Sequence, residues 1–228
     1  MNLYEPLLRE RSSDRITMAG DQVHHFRNVL RGKAEDEVSL FDGAGLVFKA
    51  RVVAVTKKEL ELEILNELTG LEVETKCALT LGVPKKEYLE SMIRSAIQVG
   101  VRKINLVQTK FSPWVYRSYS RLDKIMISSM LQSENPILPT IVHFDSLEDF
   151  LSQQEETLVF STELADAVSS DQKLSHFTNI FIGPEGGFHQ EELTRFHDSK
   201  QIQCVRINAP IMKAEVAVPF CLGWSAAK

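Results

Sequence analysis

From Val38 to Leu65 the pattern of apolar and polar residues reads as β-strands. "VSLFDGAGLVFKARVVAV" holds two such runs around Asp42-Gly43-Ala44-Gly45, a hairpin signal. "ELELEIL" sets acidic against apolar positions, as a further strand with one wet face does. "NELTGLEVET", Asn66 to Thr75, is a polar join with a glycine and the best-marked boundary in the chain. A small β domain is expected over residues 1–70 and a second domain over 71–228.

Beyond that join the period changes. "CALTLGV" and "INLVQT" are apolar runs of strand length. Between them "KKEYLESMIRSAIQVG" puts Leu89, Met92, Ile93, Ala96 and Val99 at helical spacing and stops at Gly100, a natural C′ residue. Arg121–Ser133 reads as a second amphipathic helix, and "LVFST", "NIFIG" and "CVRIN" follow as short apolar runs between polar or helical segments. Strands alternating with helices predict an α/β domain with a mainly parallel sheet. The chain contains no internal repeat or low-complexity tract.

Composition narrows the class. The 228 residues are 43% hydrophobic and 25% charged, close to globular averages and enough for a real core. No apolar stretch approaches the roughly 20 residues that span a bilayer, and "MNLYEPLLRERSSDR" lacks the apolar segment of a signal peptide. Cys77, Cys204 and Cys221 are widely spaced and odd in number, against both a disulfide framework and a Cys-based zinc site. They read as buried structural thiols: two lie in apolar strand runs and one in a terminal helix. The histidines show no metal-ligand spacing. A cytoplasmic protein with no membrane segment and no metal is expected. The net charge of −5 does not decide about nucleic acid, because local basic patches set phosphate contacts. Basic residues cluster in "RERSSDR", "RNVLRGK" and "KFSPWVYRSYSR"; the last interleaves aromatics with cations, as base-stacking surfaces do.

The chemistry concentrates in "FIGPEGGFHQEE", Phe181 to Glu192. A parallel sheet holds its ligand beyond the carboxyl ends of its strands, and this glycine loop follows such an end. It matches neither the G-x-x-x-x-G-K-[ST] nor the G-x-G-x-x-G pattern. Glu185 within it would repel a phosphate. A neutral or cationic ligand with hydroxyls and ring nitrogens fits better, and S-adenosylmethionine has that character. The plainer alternative is a tight turn whose glycines only relieve crowding.

Five segments, in order, resemble one family. "IGPEGGF" (Ile182 to Phe188) followed by "EE" is similar to the signature of the SPOUT methyltransferases, in the branch that methylates N3 of a uridine in small-subunit (16S) ribosomal RNA. "HHFRNVLRGKAEDEVSLFDGAG" (His24 to Gly45) resembles that family's N-terminal stretch in a PUA-like barrel. Lys85 leading to "QVGV", Gln132-Ser133 followed by Pro139, and "IMKAEVA" (Ile211 to Ala217) resemble its remaining motifs. The resemblance implies a PUA-like β-barrel and a C-terminal SPOUT α/β domain with a deep trefoil knot. It also implies a homodimer, S-adenosylmethionine as cofactor, and ribosomal RNA or the small ribosomal subunit as partner. By analogy the cofactor meets Thr162, the loop Ile182, Gly183, Pro184, Glu185, Gly186 and Gly187, and the segment with Ile207, Asn208, Ile211 and Met212, largely through backbone groups.

The chain departs from the family pattern at several positions. Ile207-Asn208-Ala209-Pro210 stands where the family has Leu-Gly-x-Arg, and Lys213 replaces an arginine, keeping charge but losing the bidentate fork. Val216 replaces a threonine, Gln98 a glutamate and Asn135 an arginine. Methylation of uracil N3 needs loss of its proton, hence a base or a group that stabilises the anion. Lys213 is the candidate for that stabilisation, against a solvated lysine at a helix start. Glu215 either orients Lys213 or accepts the proton, against an ordinary first-turn glutamate. Arg9, Arg27, Arg31 and Lys33 form a phosphate-reading patch or a generic basic face, and Lys85 joins the RNA-facing set. The alternative to an enzyme is a non-catalytic RNA- or ribosome-binding protein that keeps the fold.

Overall fold

The computed structural model describes residues 1–68, 77–117, 121–161, 178–206 and 209–226. These residues divide into two compact units, each with its own sheet.

The first unit contains β1 (Asn2–Tyr4), β2 (Arg15–Ala19), α1 (Asp21–His24), β3 (Glu37–Phe41), β4 (Val47–Val55) and β5 (Glu59–Leu68). Its sheet runs β1-β3-β4-β5-β2, with β1 parallel to β3 and every other pairing antiparallel. Two register shifts, at Lys49/Ala50 and Val52/Ala54, bend the long β4–β5 ribbon. The sheet curls into a half-barrel. The period-two pattern explains which face is dry: Leu60, Leu62 and Ile64 of β5 point inward with Val38, Leu40, Phe48, Ala50 and Val52. A π turn over His25–Val29 continues α1 and inserts Phe26 into that core. Ile127–Leu138 belongs to this unit too. There Asn135 is buried and its Oδ1 accepts the Ile137 N–H at 3.1 Å, a turn-forming role.

The second unit contains β6 (Ala78–Gly82), α2 (Lys86–Gln98), β7 (Lys103–Val107), the first half of α3 (Arg121–Ser133), β8 (Thr140–Phe144), α4 (Leu147–Leu151), β9 (Thr157–Phe160), β10 (Asn179–Ile182), α5 (Gln190–Asp198), β11 (Ile202–Val205) and α6 (Ala214–Ala226). Its six strands run β11-β9-β10-β6-β7-β8, and every pairing is parallel. The α/β expectation therefore holds in its strictest form. Helices cover both faces. Phe181 and Val159 turn toward α4 and α5, packing with Phe150, Leu193 and Phe196, while Leu158 and Val205 on the opposite face meet Trp224 of α6. Gly100, with φ +90°, ends α2 as expected: Gly100 N–H bonds to Ile97 O and Val101 N–H to Ala96 O, a Schellman pair.

The pattern also misled in places. Short β1, β2, β8 and α4 have no strong periodic signal and were not expected. Ile97, not Val99, completes the buried face of α2. Of the thiols, only Cys221 is buried; Cys77, just before β6, and Cys204, on the edge strand β11, are half-buried.

Candidate functional site

β10 ends at Ile182, and the chain turns sharply over Pro184–Gly187, where the Gly187 N–H bonds to Pro184 O at 2.9 Å. Gly187 has φ +71°, a conformation that side-chain-bearing residues rarely adopt. The loop is then nailed to the core. Phe188 stacks edge-on against Phe181 at 5.2 Å and Phe196 at 4.9 Å. His189 caps α5 as half of a capping box: its Nδ1 accepts the Glu191 N–H, while Glu192 returns a carboxylate oxygen to the His189 N–H at 2.8 Å. The second oxygen of Glu192 accepts the Lys110 N–H at 2.8 Å, so one buried carboxylate fixes both the glycine loop and the loop after β7.

Glycines in this region yield to protein as well as to any ligand. A Cβ on Gly186 would lie 3.1 Å from Phe111 Cβ, one on Gly183 3.0 Å from the Phe188 ring, and one on Gly82 2.5 Å from Pro184 Cδ. The crowding alternative is thus true of the turn itself, and the cleft lies beside it.

That cleft, about 580 Å³, opens at the carboxyl ends of β9, β10 and β11. Ile182, Gly183, Pro184, Glu185, Gly186 and Gly187 form one wall; Ile211, Met212, Lys213 and Glu215 form another. All eight of the described residues expected at the cofactor are therefore in one cavity, together with both residues given a chemical role. Thr162, Ile207 and Asn208 lie outside the described residues. Lys85, expected to face RNA, also lines the cleft, at the start of α2. Tyr88, Phe160, Arg206 and Cys221 line it as well and were missed. Arg206 directly follows an apolar strand run, a position that could have drawn notice; the others carry no local signal.

The electrostatics are unusual for a glycine-rich loop. The Glu185 carboxylate accepts the Lys85 backbone N–H, so its charge sits at the N-terminus of α2. Lys213 is exposed, and its carbonyl accepts the N–H groups of Val216 and Ala217, both at 2.9 Å, to begin α6. Glu215, in the first turn of α6, is half-buried, and its Oε2 is fully enclosed without a hydrogen-bond partner among the described residues. Burial pushes the Cys221 thiol up to about 12, which keeps it neutral and unsuited to nucleophilic attack.

The basic residues of the first unit are only partly free for RNA. Arg9 Nε donates to Asp42 at 2.7 Å and another guanidinium nitrogen donates to Ala44 O at 2.8 Å, bracing the hairpin. Arg31 and Lys33 are exposed just after the π turn, and Arg27 within it is half-buried. Among the described residues no group of three His, Cys, Asp or Glu is arranged to hold a metal, and no helix is long and apolar enough to cross a membrane.

Known proteins match over the same architecture. A family model described as "RNA methyltransferase domain" matches residues 71–226, and one described as "RNA methyltransferase PUA domain" matches residues 19–65. A ribosomal RNA small subunit methyltransferase E from Rickettsia conorii is 26% identical over 211 residues, covering 90% of this chain and 86% of the relative. Its namesake from Bacillus subtilis is 25% identical over 232 residues, covering 91% and 88%. Among solved structures, the same-named protein of Neisseria gonorrhoeae, bound to S-adenosyl methionine, superposes with a TM-score of 0.85 at 23% identity, covering 97% of this chain and 94% of that one.

Proposed function

Since this chain belongs to the RNA methyltransferase family, we propose that it transfers the methyl group of S-adenosylmethionine to a base of ribosomal RNA, N3 of a uridine in the 16S RNA of the small subunit. The observation that carries the reading is the single cavity joining the Gly183–Gly187 loop to Ile211–Glu215. Its volume, about 580 Å³, is in the range of small-molecule sites. Its chemistry suits a sulfonium nucleoside: bare backbone along the glycines and an acidic residue where a phosphate cradle would carry lysine. Ile182 and the Gly183–Gly187 main chain hold the cofactor, with Ile211 and Met212 opposite.

When bound, S-adenosylmethionine supplies an electrophilic methyl group for direct displacement by the uracil nitrogen. The protein's work is orientation, exclusion of water and management of one proton. Glu215, two residues from Lys213 in the first turn of α6, accepts the N3 proton through its carboxylate. Lys213, exposed at the mouth, faces the negative charge that builds on the uracil oxygens. Arg27, Arg31, Lys33 and the outer edge of Arg9 supply backbone-phosphate contacts, with Lys85 at the cleft. A ribosomal RNA substrate goes with a cytoplasmic location.

The reading includes a homodimer and a trefoil knot. α6 is apolar around its circumference, and Val216 and Phe220, one turn apart, are 50% and 40% exposed beside Ile211 at 84%. Such a stripe favours a second copy as its cover. The knot rests on the family resemblance of the C-terminal motifs.

Incubation with labelled cofactor and small ribosomal subunits, followed by mass mapping of nucleosides, tests the function. The expected product is 3-methyluridine at one site. Binding of the small subunit without transfer would favour the non-catalytic RNA-binding alternative instead.

A further inference from the structure

A second groove, about 680 Å³, lies on the far side of the glycine turn. Its walls are Phe111, Phe188, His189, Leu193 and His197, with Asp198 at its edge. Phe111 is 46% exposed although it belongs to a loop held rigidly from below. Glu192, 4% exposed, holds the Lys110 N–H, and Lys110 Nζ pairs with Glu191. The Phe111 ring meets His189 edge-on, with centroids 5.6 Å apart and planes at 72°. Two aromatic rings at that angle form a notch with one flat, wet face. His189 Nδ1 is committed to capping α5, so its Nε2 carries the proton and is a donor.

The groove and the cofactor cleft share a wall. Gly186 and Gly187 line the cleft, while the side-chain direction of Gly186 points at Phe111 Cβ, 3.1 Å away. Gly186 thus stands between the notch and the cleft. Charge decides which part of a nucleotide would lodge there. Asp198 at the edge of the groove opposes a phosphate and Glu191 on the adjoining turn is already paired with Lys110, whereas an aromatic face takes any base without regard to charge.

The geometry points to the Phe111–His189 notch as a stacking site for an unpaired base neighbouring the methylated nucleotide, which fixes how the RNA enters the cleft. This inference rests on the RNA methyltransferase reading above and adds a substrate-positioning surface to it.

The test compares Phe111→Leu with Phe111→Trp, using small-subunit RNA and a fragment carrying 2-aminopurine beside the target site. Leucine keeps the packing against Gly186 but has no π face; tryptophan keeps both. Phe111→Leu is expected to raise KM for RNA about tenfold or more, the scale of one lost base stack. Cofactor Kd should stay unchanged, Phe111→Trp should restore KM, and the probe should be quenched on binding by the parent protein but not by the leucine variant. Unchanged KM and quenching in Phe111→Leu, with methylation intact, would overturn this site alone. A parallel loss of cofactor affinity would make Phe111 a mere prop for the glycine turn, and a shift to monomer would make the notch a contact between copies. If the parent protein methylates no ribosomal RNA, the functional reading itself fails and this inference with it.

Discussion

The Glu185 carboxylate accepts the Lys85 backbone N–H at 3.1 Å, joining residues a hundred positions apart in the chain. The contact accounts for an acid inside a glycine loop. Its charge complements the exposed N–H groups at the start of α2, which has no side-chain cap of its own from Lys85. It also ties the loop after β10 to the helix after β6, and both line the cleft. Glu185→Ala should cost about 1 kcal/mol, as loss of a helix cap does, and weaken cofactor binding; Glu185→Gln, which keeps an acceptor, should lose much less. Thermal melts and calorimetry on the two variants check this.

Gly82 should tolerate nothing larger. A Cβ there would lie 2.5 Å from Pro184 Cδ and 3.1 Å from Pro184 N, so the loop backbone would have to move. Gly82→Ala is expected to fold and to lose cofactor affinity by tenfold or more, on the order of 1.4 kcal/mol. Gly223→Ala is the contrast. Nothing lies within 4 Å of its Cβ position, and alanine should stabilise the helix by about 0.5–1 kcal/mol. A destabilised Gly223→Ala would reveal a second copy packed on that face of α6.

Gly187→Val should abolish cofactor binding through the backbone. With φ at +71°, a β-branched residue would strain the turn and shift the Gly183–Gly187 wall. Isothermal titration with S-adenosylmethionine is the measurement, and full affinity in a folded variant would remove this wall from the site.

Lys213→Ala and Glu215→Gln should separate binding from transfer. Both are expected to keep cofactor affinity within a few-fold, while Glu215→Gln lowers kcat about a hundredfold or more, the usual scale for a lost proton acceptor. Lys213→Arg should recover much of the Lys213→Ala loss because charge is kept. Single-turnover methylation assays decide, and equal losses in affinity and turnover would reassign either residue to the cofactor.

Cys221 should resist alkylation. With the thiol pushed up to about 12 by burial, only about one molecule in ten thousand carries a thiolate at pH 8. Iodoacetamide should label the half-buried Cys77 and Cys204 first, as peptide mass spectrometry would read. Rapid labelling of Cys221 at pH 8 would mean that the cleft opens widely in solution.

The amino-acid sequence by itself determined what depends on neighbours along the chain. Strand-like runs around the Asp42–Gly45 hairpin signal marked β3 and β4, period-two alternation marked β5, the helical spacing and Gly100 marked α2 with its Schellman end, and Glu191-Glu192 after the glycines announced the start of α5. It also placed the glycine turn at a strand end, where a parallel sheet takes ligands. Only the tertiary structure decided the strand order β11-β9-β10-β6-β7-β8, the burial of Glu215 Oε2, the steric demand on Gly82 and the pairing of Glu185 with Lys85. Periodicity reports which face of an element is dry, not which element covers it. Parallel pairing and carboxylate partners are set by contacts between distant segments, and those come into being only when the chain packs.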